Sequence, residues 1–168
     1  AADGQAVAVR QADGRLAIRR AGRDAFAVRE WLAADGDERP PADPKLGEGF
    51  RCDPSGCIAR LADGRLVSQV IEPGAFEEDC ERAAVIVTGR EAAPGCKALT
   101  IDRNITRRSG ALVLRRSGDS FEITETKPAG QNRPWAPSTT MPVESTQPPA
   151  RPQSRDATPR PEDLEAGD

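Results

Sequence analysis

The chain has 168 residues, with 24 Lys and Arg against 27 Asp and Glu, a formal net charge of -3, and neither His nor Tyr. His is the commonest general base near neutral pH and the commonest metal ligand. Its absence excludes Ser-His triads, two-histidine zinc sites and histidine-carboxylate nuclease sites within this chain. The length suits one domain with a modest core and a tail.

The N-terminus begins Ala-Ala, with no initiator Met and no signal-peptide pattern. No apolar run is long enough to span a bilayer. We therefore expect a fragment of a longer protein or a processed chain, with nothing in these residues that anchors it to a membrane.

Two predicted hairpins share a turn sequence. Apolar residues alternate on both sides of Asp13-Gly14, which is a strong hairpin signal. The pentapeptide Ala-Asp-Gly-Arg-Leu at 12–16 recurs at 62–66, where it joins predicted strands at 57–61 and 66–71. We see nothing else that repeats with it, and we interpret it as repeated turn chemistry.

Three short helices are predicted between the hairpins. The first begins at the N-cap Asp24, runs to about Ala34 with an apolar face that includes Trp31, and stops at Gly36. The second spans residues 75–82.

The third helix spans residues 103–109, with Asp102 as its N-cap and Gly110 just past its C-terminus. Between the last two helices, the β-branched run 84–88 is typical of a strand that is buried on both faces. Its expected neighbour is 98–101.

The remaining segments complete the predicted organisation. Residues 35–49 are expected to form an irregular loop, and a third hairpin joins 111–116 to 121–126 through Ser117–Ser120. The fold class is therefore α+β, a layered domain of β-hairpins with three short helices. Residues 1–137 form the domain, and Trp135 is expected to cover its edge. The Pro-rich segment 138–168 is predicted to be a disordered tail because it cannot bury enough apolar surface.

Four cysteines decide the redox setting: Cys52, Cys57, Cys80 and Cys96. Asp53-Pro54-Ser55-Gly56 is good turn sequence and places Cys52 opposite Cys57. We therefore favour the disulfides Cys52–Cys57 and Cys80–Cys96, which belong in an oxidising compartment. A zinc tetrad and four reduced core thiols are the alternatives, although only the first pair resembles a loose zinc knuckle.

A series of short motifs resembles the C-terminal domain of ComEC-type competence proteins of alphaproteobacteria. The likeness covers about residues 5–137. Its longest motif is Phe50-Arg51-Cys52-Asp53-Pro54-Ser55-Gly56-Cys57-Ile58-Ala59-Arg60-Leu61, followed by Asp63-Gly64-Arg65. The other motifs are Phe26–Leu32 with Asp35–Asp37, then Phe76–Cys80, Pro94–Cys96, Ile101–Arg103 and Arg133–Pro137.

The resemblance implies a polytopic inner-membrane channel for incoming single-stranded DNA in natural transformation. It also implies part of a metallo-β-lactamase fold, in which some members are proposed to hold a metal-dependent nuclease site. Where such a domain would carry a His-rich segment, this chain has Val85–Glu91. We therefore transfer no catalytic residue, no metal ligand and no cofactor to this sequence.

One basic region could contact a phosphate backbone without sequence preference. Between positions 97 and 116 there is a single acid, Asp102, and Phe121 is the only aromatic side chain nearby. An alternative interpretation is a solvated helix end, where arginines are favoured by the helix dipole. The six bases are Lys97, Arg103, Arg107, Arg108, Arg115 and Arg116.

The sequence thus predicts a non-catalytic, structural or weakly DNA-guiding domain of a competence channel, on the periplasmic side of the inner membrane. Its expected partners are the transmembrane portion of the same parent protein and single-stranded DNA, and no small-molecule substrate is evident. The alternatives are a residual nuclease that binds its metal through carboxylates alone and a zinc-stabilised interaction module.

Overall fold

The computed structural model describes residues 1–20 and 25–128. Within these ranges the chain forms nine strands and three α-helices, which confirms the predicted α+β class with short helices. Four predicted features lie outside the described residues: Asp24 as a helix cap, Trp135 as an edge cover, the domain boundary at 137 and the tail 138–168.

Most element boundaries fall within a residue or two of those that the sequence predicts. The helices are α1 (Phe26–Asp35), α2 (Phe76–Arg82) and α3 (Arg103–Ser109). The strands are β1 (Ala6–Arg10), β2 (Leu16–Arg20), β3 (Phe50–Cys52), β4 (Gly56–Arg60), β5 (Leu66–Val70), β6 (Ala83–Thr88), β7 (Leu99–Ile101), β8 (Leu112–Ser117) and β9 (Ser120–Glu125).

A five-stranded sheet with the order β3-β4-β5-β6-β7 is the centre of the described structure. Strands β3, β4 and β5 run antiparallel to one another, whereas β5, β6 and β7 are parallel. The sheet changes from antiparallel to parallel pairing at β5 because α2 lies between β5 and β6 and provides the crossover that a parallel pair requires. The predicted pairing of the buried strand with its neighbour is confirmed as β6 beside β7.

Strand β6 is buried on both faces, as its sequence predicts. Val85 belongs to the core shared with the first hairpin, and this core includes Val7 and Val9. Ile86 is fully buried on the opposite face, beside Ser68 of β5. The Ser68 hydroxyl donates to Asp79 of α2 at 2.7 Å, which places α2 over this second face.

The first hairpin is a layer of its own between the central sheet and α1. One face of β1-β2 contributes Val7, Val9 and Ala17 to the core of the central sheet. The other face places Ile18 against Val28 and Leu32 of α1. Full burial of aliphatic side chains of this size stabilises the fold by about 1.5–3 kcal/mol each.

The start of α3 and the end of α1 follow the predicted capping chemistry, whereas the start of α1 does not. Asp102 accepts a hydrogen bond from the Ile105 amide at 2.9 Å, so it is the N-cap of α3. Gly36 has φ 70° and closes α1 in the left-handed conformation. Ala25 occupies the N-cap position of α1 and makes no side-chain capping bond.

The structure refines two other expectations. The segment 35–49 is more regular than predicted, because Pro44–Gly47 forms a short 3-10 helix capped by Asp43. The third hairpin turns through Gly118-Asp119 alone, since β8 and β9 extend to Ser117 and Ser120.

The expectation that only a pentapeptide repeats is wrong. Arg10 and Arg60 precede the two copies at the same spacing, so the repeated unit is Arg-X-Ala-Asp-Gly-Arg-Leu. Arg10 donates to the Gly14 carbonyl at 2.7 Å, and Arg60 donates to the Gly64 carbonyl at 3.1 Å. The arginine is therefore part of each turn.

Candidate nucleic-acid interface and disulfides

Three of the six bases in the predicted basic region lie on α3. Thr106 and Ser109 are buried, which fixes the rotation of the helix and leaves Arg103, Arg107 and Arg108 exposed. Arg103 and Arg107 are four residues apart, so their side chains lie on one face of the helix. We call Arg103, Arg107 and Arg108 the α3 basic face.

The other three predicted bases take different positions. Lys97 is exposed in the loop before β7. Arg115 and Arg116 follow one another on β8, so their side chains leave opposite faces of the hairpin. The six bases therefore do not form one continuous surface.

Arg116 is engaged within the domain. Its guanidinium forms an ion pair with Asp63 at 2.6 Å and donates to the Gly118 carbonyl at 2.8 Å. The other five bases make no ion pair within residues 1–20 and 25–128. They are the three arginines of the α3 basic face, Lys97 and Arg115. These five side chains keep their charge available for an external anion.

Both predicted disulfides are present in the structure. Cys52 and Cys57 are cross-strand partners in β3 and β4, with their Cα atoms 4.1 Å apart. Cys80 of α2 is joined to Cys96 in the loop between β6 and β7, with a Cα–Cα distance of 5.3 Å. All four cysteines are paired, which leaves no thiolate for the tetrahedral zinc site that was the alternative.

The turn between β3 and β4 is closed by its own hydrogen bonds. The Asp53 carboxylate accepts from the Ser55 and Gly56 amides at 2.8 and 2.9 Å. The Asp53 amide donates to the Gly56 carbonyl at 2.9 Å. Gly56 is required because an added Cβ would lie 2.6 Å from the Gln69 carbonyl oxygen on β5.

The carboxyl ends of β5 and β6 are tied together by Arg90. Its Nε donates to the Ile71 carbonyl at 3.0 Å, and its amide donates to the Thr88 hydroxyl at 3.2 Å. Its own carbonyl accepts from the Arg103 amide at 2.9 Å. Arg90 lies in the segment where the resembling family would carry a His-rich motif. In this chain its hydrogen bonds join the ends of β5 and β6 to the start of α3.

Asp102 links this edge of the sheet to α3. One carboxylate oxygen caps α3, and the other accepts from the Ala92 amide at 3.3 Å. The described part of the chain contains no group of three or more His, Cys, Asp or Glu side chains placed to hold a metal ion. In the same residues no helix has the length and apolarity to cross a membrane.

Sequence reasoning missed one contact between a cation and a disulfide. Arg19 Nε donates to Cys57 Sγ at 3.2 Å. The available signal was the alternation of β2, where Arg19 is two residues after the buried Ala17 and so lies on the face towards the central sheet. Nothing in the sequence indicates which residue of that sheet it meets.

The comparisons with known proteins returned nothing. No family model matches the chain, and neither a curated protein nor a solved structure matches it.

Proposed function

We propose that this chain is a non-catalytic domain of a ComEC-type DNA-uptake channel, on the periplasmic side of a bacterial inner membrane, and that it guides single-stranded DNA. The observation that carries the DNA role is the α3 basic face, whose three arginines are exposed and make no ion pair within the described residues. The proposed parent protein and its location rest on the ordered motifs that resemble this family. The two disulfides support an oxidising compartment.

The proposed contact is electrostatic and independent of DNA sequence. Phosphate neutralisation by Arg and Lys releases counterions, and the logarithm of the binding constant then falls linearly with the logarithm of salt concentration. Three phosphate contacts on a single strand predict a slope of about -2. Arg107 and Arg108 lie in the last turn of α3, so they are also placed favourably for the helix dipole.

The test is binding of a fluorescent oligothymidine to the domain at several salt concentrations. The triple variant R103E/R107E/R108E is expected to lower affinity about tenfold or more and to reduce the salt slope by about 2. The matched control is R29E/K45E/R51E, which changes the net charge equally at exposed positions away from α3. Equal losses in both variants would mean that net charge alone attracts DNA, which would overturn the proposal.

The same oligonucleotide distinguishes the proposal from the carboxylate-nuclease alternative. The oligonucleotide is incubated with the protein and Mg²⁺ or Mn²⁺ and then resolved by length. We expect intact DNA. DNA cleavage that a chelator abolishes would support the nuclease alternative and contradict the proposal of a non-catalytic domain.

A further inference from the structure

The two sulfur atoms of the Cys52–Cys57 disulfide lie in unlike surroundings. Cys52 is exposed at the end of β3, whereas Cys57 is 2% exposed in the core. The guanidinium of Arg19 donates from Nε to Cys57 Sγ at 3.2 Å. An attacking group therefore has access to the Cys52 sulfur, and a cation faces the sulfur that would leave.

Arg19 is held in place for this contact. Its backbone lies in β2, paired with Val7 of the core, and its Nη1 donates to the Arg20 carbonyl. A positive charge beside a cysteine lowers the pKa of its thiol and stabilises the thiolate. In thiol–disulfide exchange a leaving thiol of lower pKa departs faster.

The hairpin does not depend on the disulfide for its closure. Hydrogen bonds of Asp53 close the turn, and the Ser55 carbonyl accepts from the Ile71 and Glu72 amides at 2.9 Å each. Strand β4 is also paired along its length with β5. The bond can therefore open while the sheet stays formed.

The second disulfide lacks these features. Cys80 and Cys96 are both half-buried, and in the described residues no cationic side chain donates to either sulfur. The bond closes a longer loop, with a sequence separation of 16 against 5, so it removes more entropy from the unfolded chain. This pattern is that of a structural crosslink.

We propose that Cys52–Cys57 is a thiol–disulfide exchange site that an external dithiol reduces, with Cys52 as the attacked residue and Arg19 as the positioning residue for the Cys57 thiolate. The reductant thiolate bonds to Cys52 Sγ, the Cys52–Cys57 bond breaks, and its electron pair stays on Cys57 Sγ. The second thiol of the reductant then attacks its own sulfur in the mixed disulfide. It releases the Cys52 thiolate and leaves the reductant as a cyclic disulfide. Two electrons pass to the protein in all, and the two protons that the dithiol loses balance those taken up by the cysteines. This site does not depend on the proposed DNA role.

The test uses the folded chain and dithiothreitol as the dithiol at one fixed pH, with alkylation at timed intervals and peptide mass mapping. Cys52–Cys57 is expected to open about tenfold or more faster than Cys80–Cys96. Arg19→Gln is expected to slow the first reaction about five- to tenfold and to leave the second unchanged. Equal rates for the two disulfides in the unmodified chain would overturn the proposal, whatever the variant does.

Two further measurements separate a role for Arg19 from general effects. Arg51→Gln removes an exposed cation next to Cys52 in sequence but not the contact with Cys57, and its rate is expected to stay within about twofold of the parent. An equal slowing by Arg51→Gln and Arg19→Gln would assign the effect to attraction of the reductant and overturn the proposal. A limiting monothiol is expected to form its adduct on Cys52; an adduct mainly on Cys57 would contradict the assigned direction of attack.

Discussion

The turns at 10–16 and 60–66 have the same chemistry but different neighbours. In each, the Asp carboxylate accepts from the Arg amide two residues later, at 2.9 Å for Asp13 and 3.0 Å for Asp63. Each glycine has a positive φ, 82° for Gly14 and 86° for Gly64. The local sequence is sufficient to form this turn, since two unrelated surroundings contain it.

The neighbours give the side chains different roles. The first turn borders an open cleft of about 450 Å³, lined by Gly14, Arg15 and residues 35–39. The second turn meets the β8-β9 hairpin, where Asp63 pairs with Arg116 and Arg65 lies over the Phe121 ring, 5.0 Å from its centre. Asp13 therefore completes the first turn, whereas Asp63 and Arg65 complete the second turn and also hold the β8-β9 hairpin against it.

The largest expected effect tests whether the two turns are equivalent locally. Gly14→Ala and Gly64→Ala each place a Cβ in open space, so the cost comes from the left-handed backbone alone. We expect each substitution to lower the free energy of unfolding by about 1–2 kcal/mol. Urea unfolding measures both values. A difference of more than about 0.5 kcal/mol between the two would contradict local equivalence.

Arg65 and Arg15 test the difference in neighbours. Arg65→Gln removes the contact with Phe121 and the 2.7 Å ion pair with Asp63, and we expect a loss of about 1 kcal/mol. Arg15→Gln is the matched control in the first turn, and it is expected to change stability by less than about 0.5 kcal/mol. Equal losses in urea unfolding would mean that the β8-β9 hairpin gains nothing from Arg65.

Two carboxylates, one near each turn, make the stability of the fold depend on pH. A hydrogen bond from the Arg39 side chain lowers the pKa of Asp37 to about 2, and Arg39 also donates to the Leu16 carbonyl at 2.7 Å. The Arg65 amide and then its side chain lower the pKa of Asp63. A carboxylate whose pKa is lower in the folded state stabilises the fold above its unfolded pKa, and the contribution is lost as pH falls through the folded value.

We therefore expect thermal stability to decline below about pH 4, with a smaller decline in Asp37→Asn and in Asp63→Asn. The Asp37 contribution is lost progressively as pH falls from its unfolded pKa of about 4 to its folded pKa of about 2. Asn retains the amide-accepting oxygen, so these variants change the charge and keep the turn. Melting temperature measured from pH 6 to pH 2 checks this. If the melting temperature of Asp63→Asn fell with pH as steeply as that of the unmodified chain, Asp63 would make no contribution to the acid sensitivity.

Local chemistry explains why much of the fold could be predicted. Asp-Gly turns, the Asp102 cap and the β-branched run of β6 each act over a few residues, so their elements appear where the sequence places them. The Cys52–Cys57 pairing was predictable for the same reason, because the turn that joins the two strands fixes their register.

Contacts between distant residues could not be predicted in this way. Arg116 belongs to the predicted DNA-contacting set, yet its partner Asp63 is 53 residues away. Arg19 and Cys57 are 38 residues apart, and only the packing of the first hairpin on the central sheet brings them together. Residue type and spacing indicate a charge or a buried position but do not identify its partner.

The smallest expected effect concerns the arginine that opens each repeat. Arg10→Gln removes the bond to the Gly14 carbonyl and a surface ion pair with Asp35, for which we expect a loss of about 0.5–1 kcal/mol. Arg60→Gln removes the bond to the Gly64 carbonyl, with an expected loss of less than about 0.5 kcal/mol. High salt should reduce the difference, because Arg10 pairs with a carboxylate and Arg60 does not within the described part of the chain. If the difference in urea unfolding stayed constant from low to high salt, the ion pair with Asp35 would not be its cause.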